Sequence, residues 1–212
     1  MLKAPIFLLL LFVATAYQQT SLRDIKEENK DTIFVKLEDL SPDFAYDMRY
    51  ATENNFLKQK VYECASCVLR EEVGRALVKI NKAFLQKGYR IKLYDCYRPL
   101  DVQKKMWEIY PNANYVANPH TRGSVHNRGG AVDITLVDLK GVELDMGTDF
   151  DHFGKEAHHS YTELSEKVIK NRALLKETME AHGFASLRTE WWHYSFKSKH
   201  TYSLSNFMPQ CE

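Results

Sequence analysis

The apolar positions of this 212-residue chain change period several times, and each change marks an element. Ile6 to Val13 is an unbroken apolar run with no polar residue at helical spacing. Tyr17 to Asp31 is polar and charged without period, and reads as a flexible lead-in. Thr32 to Leu37 alternates as a strand does, and Leu40 to Lys60 reads as loop, broken by Ser41-Pro42 and Asn54-Asn55. From Val68 to Gln86, Leu69, Val73, Leu77, Ile80 and Phe84 recur at three and four, which predicts an amphipathic helix closed by Gly88.

Arg90 to Tyr97 alternates again, with Ile91, Leu93 and Asp95 on one face, and Pro99 ends that strand. A second helical pattern covers Leu100 to Tyr110, and Ala131 to Val137 is a β-branched strand carrying Asp133. Tyr161 to His182 predicts another long helix, with Leu164, Val168, Leu174 and Met179 near one face and Gly183 as its stop. Phe184 to Phe196 reads as one aromatic strand. Helices and strands mix without a βαβ repeat, so the expected class is α+β, with helices packed on a small antiparallel sheet.

Composition adds location. Lys3, the short apolar run and Ala14-Thr15-Ala16 form a secretory signal pattern over residues 1–16, too short to span a bilayer stably. A flexible segment, 17–31, and one catalytic domain, 32–212, would follow, exported to a periplasm or released, with no membrane anchor once the signal is cleaved. The formal charge is +1, and losing Lys3 with the signal leaves none, so nothing in the charge balance favours a nucleic-acid partner. Four cysteines, Cys64, Cys67, Cys96 and Cys211, suit disulfides in such a compartment, and sequence leaves their pairing open. Cys64-Ala65-Ser66-Cys67 has the spacing of a redox or thiolate-zinc motif, but no second close pair and no βαβ pattern accompanies it.

The chemistry concentrates in two segments, Ser124 to Asp133 and Glu190-Trp191-Trp192-His193. His126, Asp133 and His193 offer two imidazoles and a carboxylate, the donor set of catalytic zinc with a fourth position left for water. The Gly129-Gly130 pair would let a loop ligand and a strand ligand face one metal. Glu190 is then free to act as general base. Glu190 and His193 differ by an odd number, so a regular strand would point them to opposite faces, and the reading requires a bulge at Trp191-Trp192. Arg98, in Asp95-Cys96-Tyr97-Arg98-Pro99, sits at a strand-to-helix corner, where it serves either as an oxyanion partner or as an ion pair with Asp95. The remaining histidines have no assigned role, and the HExxH zinc-protease motif is absent.

Tyr94 to Pro99, Gly123 to Asp133, Met146 to Asp151 and Glu190 to Tyr194 closely resemble the D-alanyl-D-alanine dipeptidases. These belong to a zinc peptidase group that also holds D,D-carboxypeptidases and is structurally akin to the Hedgehog signalling domain. The likeness runs from about Phe34 to Tyr194. It implies one Zn2+ per chain on His126, Asp133 and His193, Glu190 as catalytic base and Arg98 as transition-state stabiliser. It also implies Asp151 as partner of the substrate's ammonium and Ser124 as a substrate contact, with the D-Ala-D-Ala dipeptide as substrate. A D,D-carboxypeptidase of longer wall peptides is the nearest alternative. A non-catalytic zinc or cell-wall-binding module is the other, although it would need neither Glu190 nor Arg98. The four cysteines and the export signal depart from the many cytoplasmic members of the family.

Overall fold

The computed structural model describes residues 33–199 and 201–211, so the expected signal and lead-in lie outside the described residues. The order is β1 (Phe34–Lys36), α1 (Leu37–Leu40), β2 (Ala45–Tyr46), β3 (Val68–Arg70), α2 (Glu71–Leu85), β4 (Tyr89–Asp95), α3 (Leu100–Ile109), β5 (Ala131–Asp138), α4 (Glu166–Ala181), β6 (Phe184–Leu187) and β7 (Glu190–Phe196). This is the α+β class expected. Its centre is a five-stranded sheet ordered β2-β4-β5-β7-β6, and β1 and β3 form a separate two-stranded ribbon.

Every pairing of the larger sheet is antiparallel except β2 with β4, which is parallel. The expected antiparallel sheet thus carries one parallel edge, formed by a strand too short to announce itself in sequence. Strand β5 lies in the middle and is buried at every position from Ala131 to Val137, so both faces of the sheet are covered.

Helix α2 packs on β4 through Val73, Leu77, Ile80 and Phe84, all 0% exposed. Each of these contributes about 1.5–3 kcal/mol of gross burial. The helical pattern was expected to begin at Val68, but Val68 to Arg70 is a strand paired with β1. Leu69 therefore reaches the core from a strand and not from the helix face.

Helix α4 begins only at Glu166, where the Ser165 hydroxyl accepts from the Val168 amide at 3.3 Å. Its buried face is Val168, Arg172, Leu175, Thr178 and Met179, so Leu164 lies outside the helix. Arg172 sits in that face because its guanidinium bonds the backbone carbonyls of Met146, Glu156 and His158. The aromatic segment expected as one strand is a hairpin, β6 and β7, turned by Arg188-Thr189.

Two disulfides cross-link the domain, Cys67–Cys96 across 29 residues and Cys64–Cys211 across 147. The second one ties down the chain's last described stretch, which runs over the segment around His126. There the Ser205 amide bonds the Asn127 carbonyl at 2.9 Å, the Leu100 amide bonds the Ser205 carbonyl at 3.1 Å, and Phe207 stacks on Phe34 at 5.2 Å.

His159 lies behind the hairpin, its ring edge-on to Tyr194 at 6.3 Å and its Nε2 buried without a hydrogen-bond partner among the described residues. Burial, followed by the charges of Lys176 and Arg172, pushes its imidazole down to about 4. An unfolded histidine titrates near ~6.5, so between those two values the unfolded chain binds the extra proton. Stability supplied by neutral His159 is complete above about 6.5 and is lost as pH falls toward 4. Thermal melts of the protein and of His159→Phe between pH 7 and 4.5 should show a shallower acid decline in the variant. Equal slopes would remove His159 from the acid sensitivity.

Candidate active site

The site grows out of strand register. Asp95 on β4 faces Asp133 on β5, and Asp133 faces His193 on β7. Directly opposed residues point to one face of a sheet, so these three side chains form a row across its middle strands. His126 joins them from a 3₁₀ turn, His126–Arg128, that precedes β5.

That turn ends at Gly129, whose φ of 71° lies in the left-handed region and whose missing Cβ would sit 2.6 Å from the Phe34 ring. A side chain there is excluded on both counts. Gly130 has no positive φ and only ordinary contacts, so one glycine of the pair carries the requirement.

The donor atoms of His126, Asp133 and His193 form a tight triangle. His126 Nε2 lies 3.1 Å from His193 Nδ1, His193 Nδ1 lies 3.0 Å from Asp133 Oδ1, and His126 Nε2 lies 3.3 Å from Asp133 Oδ1. Three corners of a tetrahedron around zinc, with bonds of about 2.0–2.1 Å, are roughly 3.3 Å apart. The outer nitrogens are occupied as metal ligands need: His126 Nδ1 lies 2.7 Å from the Cys96 carbonyl, and His193 Nε2 lies 3.0 Å from Ser195 Oγ. With those two N–H groups donating outward, the inner nitrogens turn lone pairs to one point. The residues therefore fit a metal. They form the one such cluster of His, Cys, Asp and Glu among the described residues.

Glu190 and His193 reach the same pocket because β7 is irregular where expected. Between the pairs Ser186–Tyr194 and Leu187–Glu190, three residues of β7, Trp191 to His193, have no partner on β6. This bulge shifts the strand's alternation, and Glu190, Trp192 and His193 all line one cavity of about 200 Å³. The Glu190 carboxylate makes no hydrogen bond among the described residues, and burial, opposed by the imidazole of His193, raises its pKa above the ordinary glutamate value.

Arg98 makes the expected ion pair and also borders the cavity. Its Nη2 pairs with Asp95 Oδ2 at 2.6 Å, Nη1 bonds Gln103 Oε1 at 2.9 Å and Nε approaches Tyr62 Oη at 3.4 Å, yet it also lines the cavity. A guanidinium has more N–H donors than these three partners use, which leaves donors for the pocket. Asp95 is wholly buried and also accepts from Tyr62 Oη at 2.5 Å and from the Cys96 amide at 2.9 Å.

Asp151 lines the cavity with φ of 60°, a left-handed conformation that it shares with Lys58 alone among the described non-glycine residues. Such backbone costs of order 1 kcal/mol or more and clusters at functional positions. Its Oδ2 accepts from Tyr50 Oη at 2.9 Å. Burial, then the nearby Asp133 carboxylate, pushes its carboxyl well above the usual range, so a cation brought into the pocket would favour its ionised form.

Ser124 lines the pocket too, and its Oγ accepts from the His126 amide at 3.2 Å. The seven residues expected at the site are thus brought together. Tyr50, Tyr62 and Gln103 were not expected, and no local pattern marks them. Tyr50 falls in the stretch read as loop.

A family model described as D-ala-D-ala dipeptidase matches residues 30–208. The chain is 34% identical over 173 residues to the D-alanyl-D-alanine dipeptidase of Escherichia coli (strain K12), covering 82% of this chain and 89% of that protein. It is 30% identical over 186 residues to the D-alanyl-D-alanine dipeptidase of Enterococcus faecium, covering 78% and 92%. Among solved structures the likeness is looser: VanYB in complex with D-alanine-D-alanine gives a TM-score of 0.42 at 15% identity, over 62% of this chain and 73% of that one.

Proposed function

The chain belongs to the D-ala-D-ala dipeptidase family, and from that premise we propose that it hydrolyses the D-alanyl-D-alanine dipeptide with one zinc ion held by His126, Asp133 and His193. The observation that carries this reading is the donor triangle with edges of 3.0–3.3 Å in the same small cavity as the unbonded Glu190 carboxylate. Zinc bound there would supply Lewis acidity, lowering the pKa of water toward neutrality and polarising a carbonyl.

The protein's own groups do the rest. Glu190 takes the proton of the attacking water and later gives it to the departing amine. Arg98, fixed by Asp95 and Gln103, aims its remaining donors at the oxyanion that develops on the scissile carbonyl. Asp151 receives the substrate's ammonium, assisted by Tyr50, and Ser124 contacts substrate beside the His126 turn.

The cavity of about 200 Å³ is large enough for a dipeptide. Asp151 favours a dipeptide over a long wall peptide, because an extended amino terminus would bury that carboxyl beside a neutral amide. The cavity's lining therefore speaks against the D,D-carboxypeptidase alternative. Export to an oxidising compartment is part of the proposal and is supported by the two disulfides. No helix among the described residues is long and apolar enough to cross a membrane.

The test is release of free D-alanine by zinc-loaded protein from D-Ala-D-Ala and from a wall peptide with the same end. Cleavage of the dipeptide alone supports the proposal. Cleavage of the longer peptide moves the protein to the carboxypeptidase reading, and cleavage of neither, with zinc bound, to a binding module. Metal removal gives a second check. A ligand present at a thousandfold over its Kd stabilises by about 4 kcal/mol, so dialysis against a chelator should lower Tm and activity together, and added zinc should restore both. An unchanged melt would separate the three donors from any metal.

A further inference from the structure

Beside the catalytic pocket lies a second cavity of about 250 Å³, walled by His152, Lys155, His158 and Thr189. Asn114, Tyr115, Phe153 and Glu190 line both spaces. The partition between them is a pair of rings: Tyr115 and Phe153 stack with centroids 4.2 Å apart, and Phe56 meets Phe153 edge-on at 4.9 Å. Tyr115 is 38% exposed, so the stack lies at the surface and not in the core.

The two spaces differ in charge. The catalytic pocket carries the carboxylates of Asp133, Asp151 and Glu190. The second cavity carries the Lys155 ammonium and two imidazoles, with Glu190 as its one acidic wall. Glu156, next to Lys155 in sequence, is engaged by His152 Nε2 at 3.2 Å, and Glu163 accepts from Tyr161 Oη at 3.1 Å; neither lines the cavity. Lys155 forms no ion pair among the described residues, and its Nζ rests 5.7 Å from the Tyr161 ring centroid.

We propose that this cavity is a subsite for the departing residue and takes a carboxylate-bearing side chain. The inference rests on the dipeptidase reading above. Under that reading Glu190 protonates the amine of the departing residue, which must therefore lie against Glu190. The cavity that shares Glu190, and is not lined by Asp151, Tyr50 or Arg98, adjoins that residue and not the amino-terminal one. A methyl side chain stops at the Tyr115–Phe153 stack. A longer acidic side chain passes it and meets Lys155. The reaction itself is unchanged: water adds across the peptide bond, D-alanine keeps the new carboxylate, and the acidic residue leaves with its amine protonated by way of Glu190.

The experiment compares kcat/KM of the zinc-loaded full chain on D-Ala-D-Ala, D-Ala-D-Glu and D-Ala-D-Gln, the last two differing in charge and little in shape. D-Ala-D-Glu should be cleaved more efficiently than D-Ala-D-Gln. Lys155→Ala should lower the D-Ala-D-Glu value about fivefold, the effect of one partly exposed charge pair, and leave the other two within about twofold. Lys155→Glu should reverse the order of the two longer substrates. Cleavage of D-Ala-D-Ala with no preference for D-Ala-D-Glu over D-Ala-D-Gln, or an equal loss on all three in Lys155→Ala, overturns the subsite alone. Failure to cleave D-Ala-D-Ala overturns the dipeptidase reading and the subsite with it.

Discussion

Glu190→Gln is expected to lower kcat on D-Ala-D-Ala by about 10²–10⁴-fold while leaving bound zinc and Tm unchanged. The substitution keeps the size and hydrogen-bonding reach of the side chain but removes its ability to accept a proton. Little else should move, because the Glu190 carboxylate makes no hydrogen bond among the described residues and is not one of the three donors. A purely structural role would predict the opposite pattern, a lower melt with activity falling in proportion to folded protein. Metal content by elemental analysis, melting and steady-state kinetics on one preparation distinguish the two. Turnover within tenfold of the wild type would take the base role away from Glu190.

The second large effect is expected at Arg98, where stability and catalysis are joined. Arg98→Met leaves Asp95, 0% exposed, without its countercharge, although Tyr62 and the Cys96 amide still bond it. Breaking a buried pair from one side costs about 3–5 kcal/mol, and the remaining bonds place this case near 3. For a domain of this size that corresponds to a fall in Tm of roughly 6–12 °C. Catalysis should fall further than folding explains, by about 10²–10³ in kcat, the usual effect of losing one oxyanion donor.

Arg98→Lys separates the two contributions. An ammonium can still compensate Asp95, but it cannot bond Gln103 and Tyr62 and also face the pocket. The lysine variant should therefore recover much of the melt and little of the rate. Recovery of both would make charge alone sufficient and set aside the role of the planar group.

The residues that sequence revealed are those whose chemistry is costly to bury without purpose. Asp133 in an apolar strand, His126 before a glycine pair and Glu190 beside His193 stand out because a buried charge needs a partner. The bulge in β7 was legible as a requirement, since three residues separate Glu190 from His193. What sequence did not reveal depends on distant contacts. Tyr50 reaches Asp151 across 101 positions, and Tyr62 reaches Asp95 across 33. Val68 and Leu69 fit a helical period by accident of spacing, and only pairing with β1 makes them a strand. The Arg188-Thr189 turn contains no glycine, proline or asparagine, so nothing local divided β6 from β7. Arg172 breaks the apolar stripe of its helix, and only the Met146 and Glu156 carbonyls, 26 and 16 positions away, explain its burial.

The Cys64–Cys211 bridge also changes what a protease can do to this domain. Its covalent loop encloses Arg98, His126, Asp133, Asp151, Glu190 and His193. The most open hydrophobic positions within it are Leu139, 60% exposed, and Val142, 63% exposed, at the turn after β5. Loop tips of this kind are preferred cleavage sites. A cut there parts His126 and Asp133 from Glu190 and His193 along the backbone. The upstream fragment keeps Cys64 and the downstream fragment keeps Cys211, so the severed halves remain one molecule held in register by β5 and β7. Such a nicked enzyme would travel as a single band until reduced, and then as two.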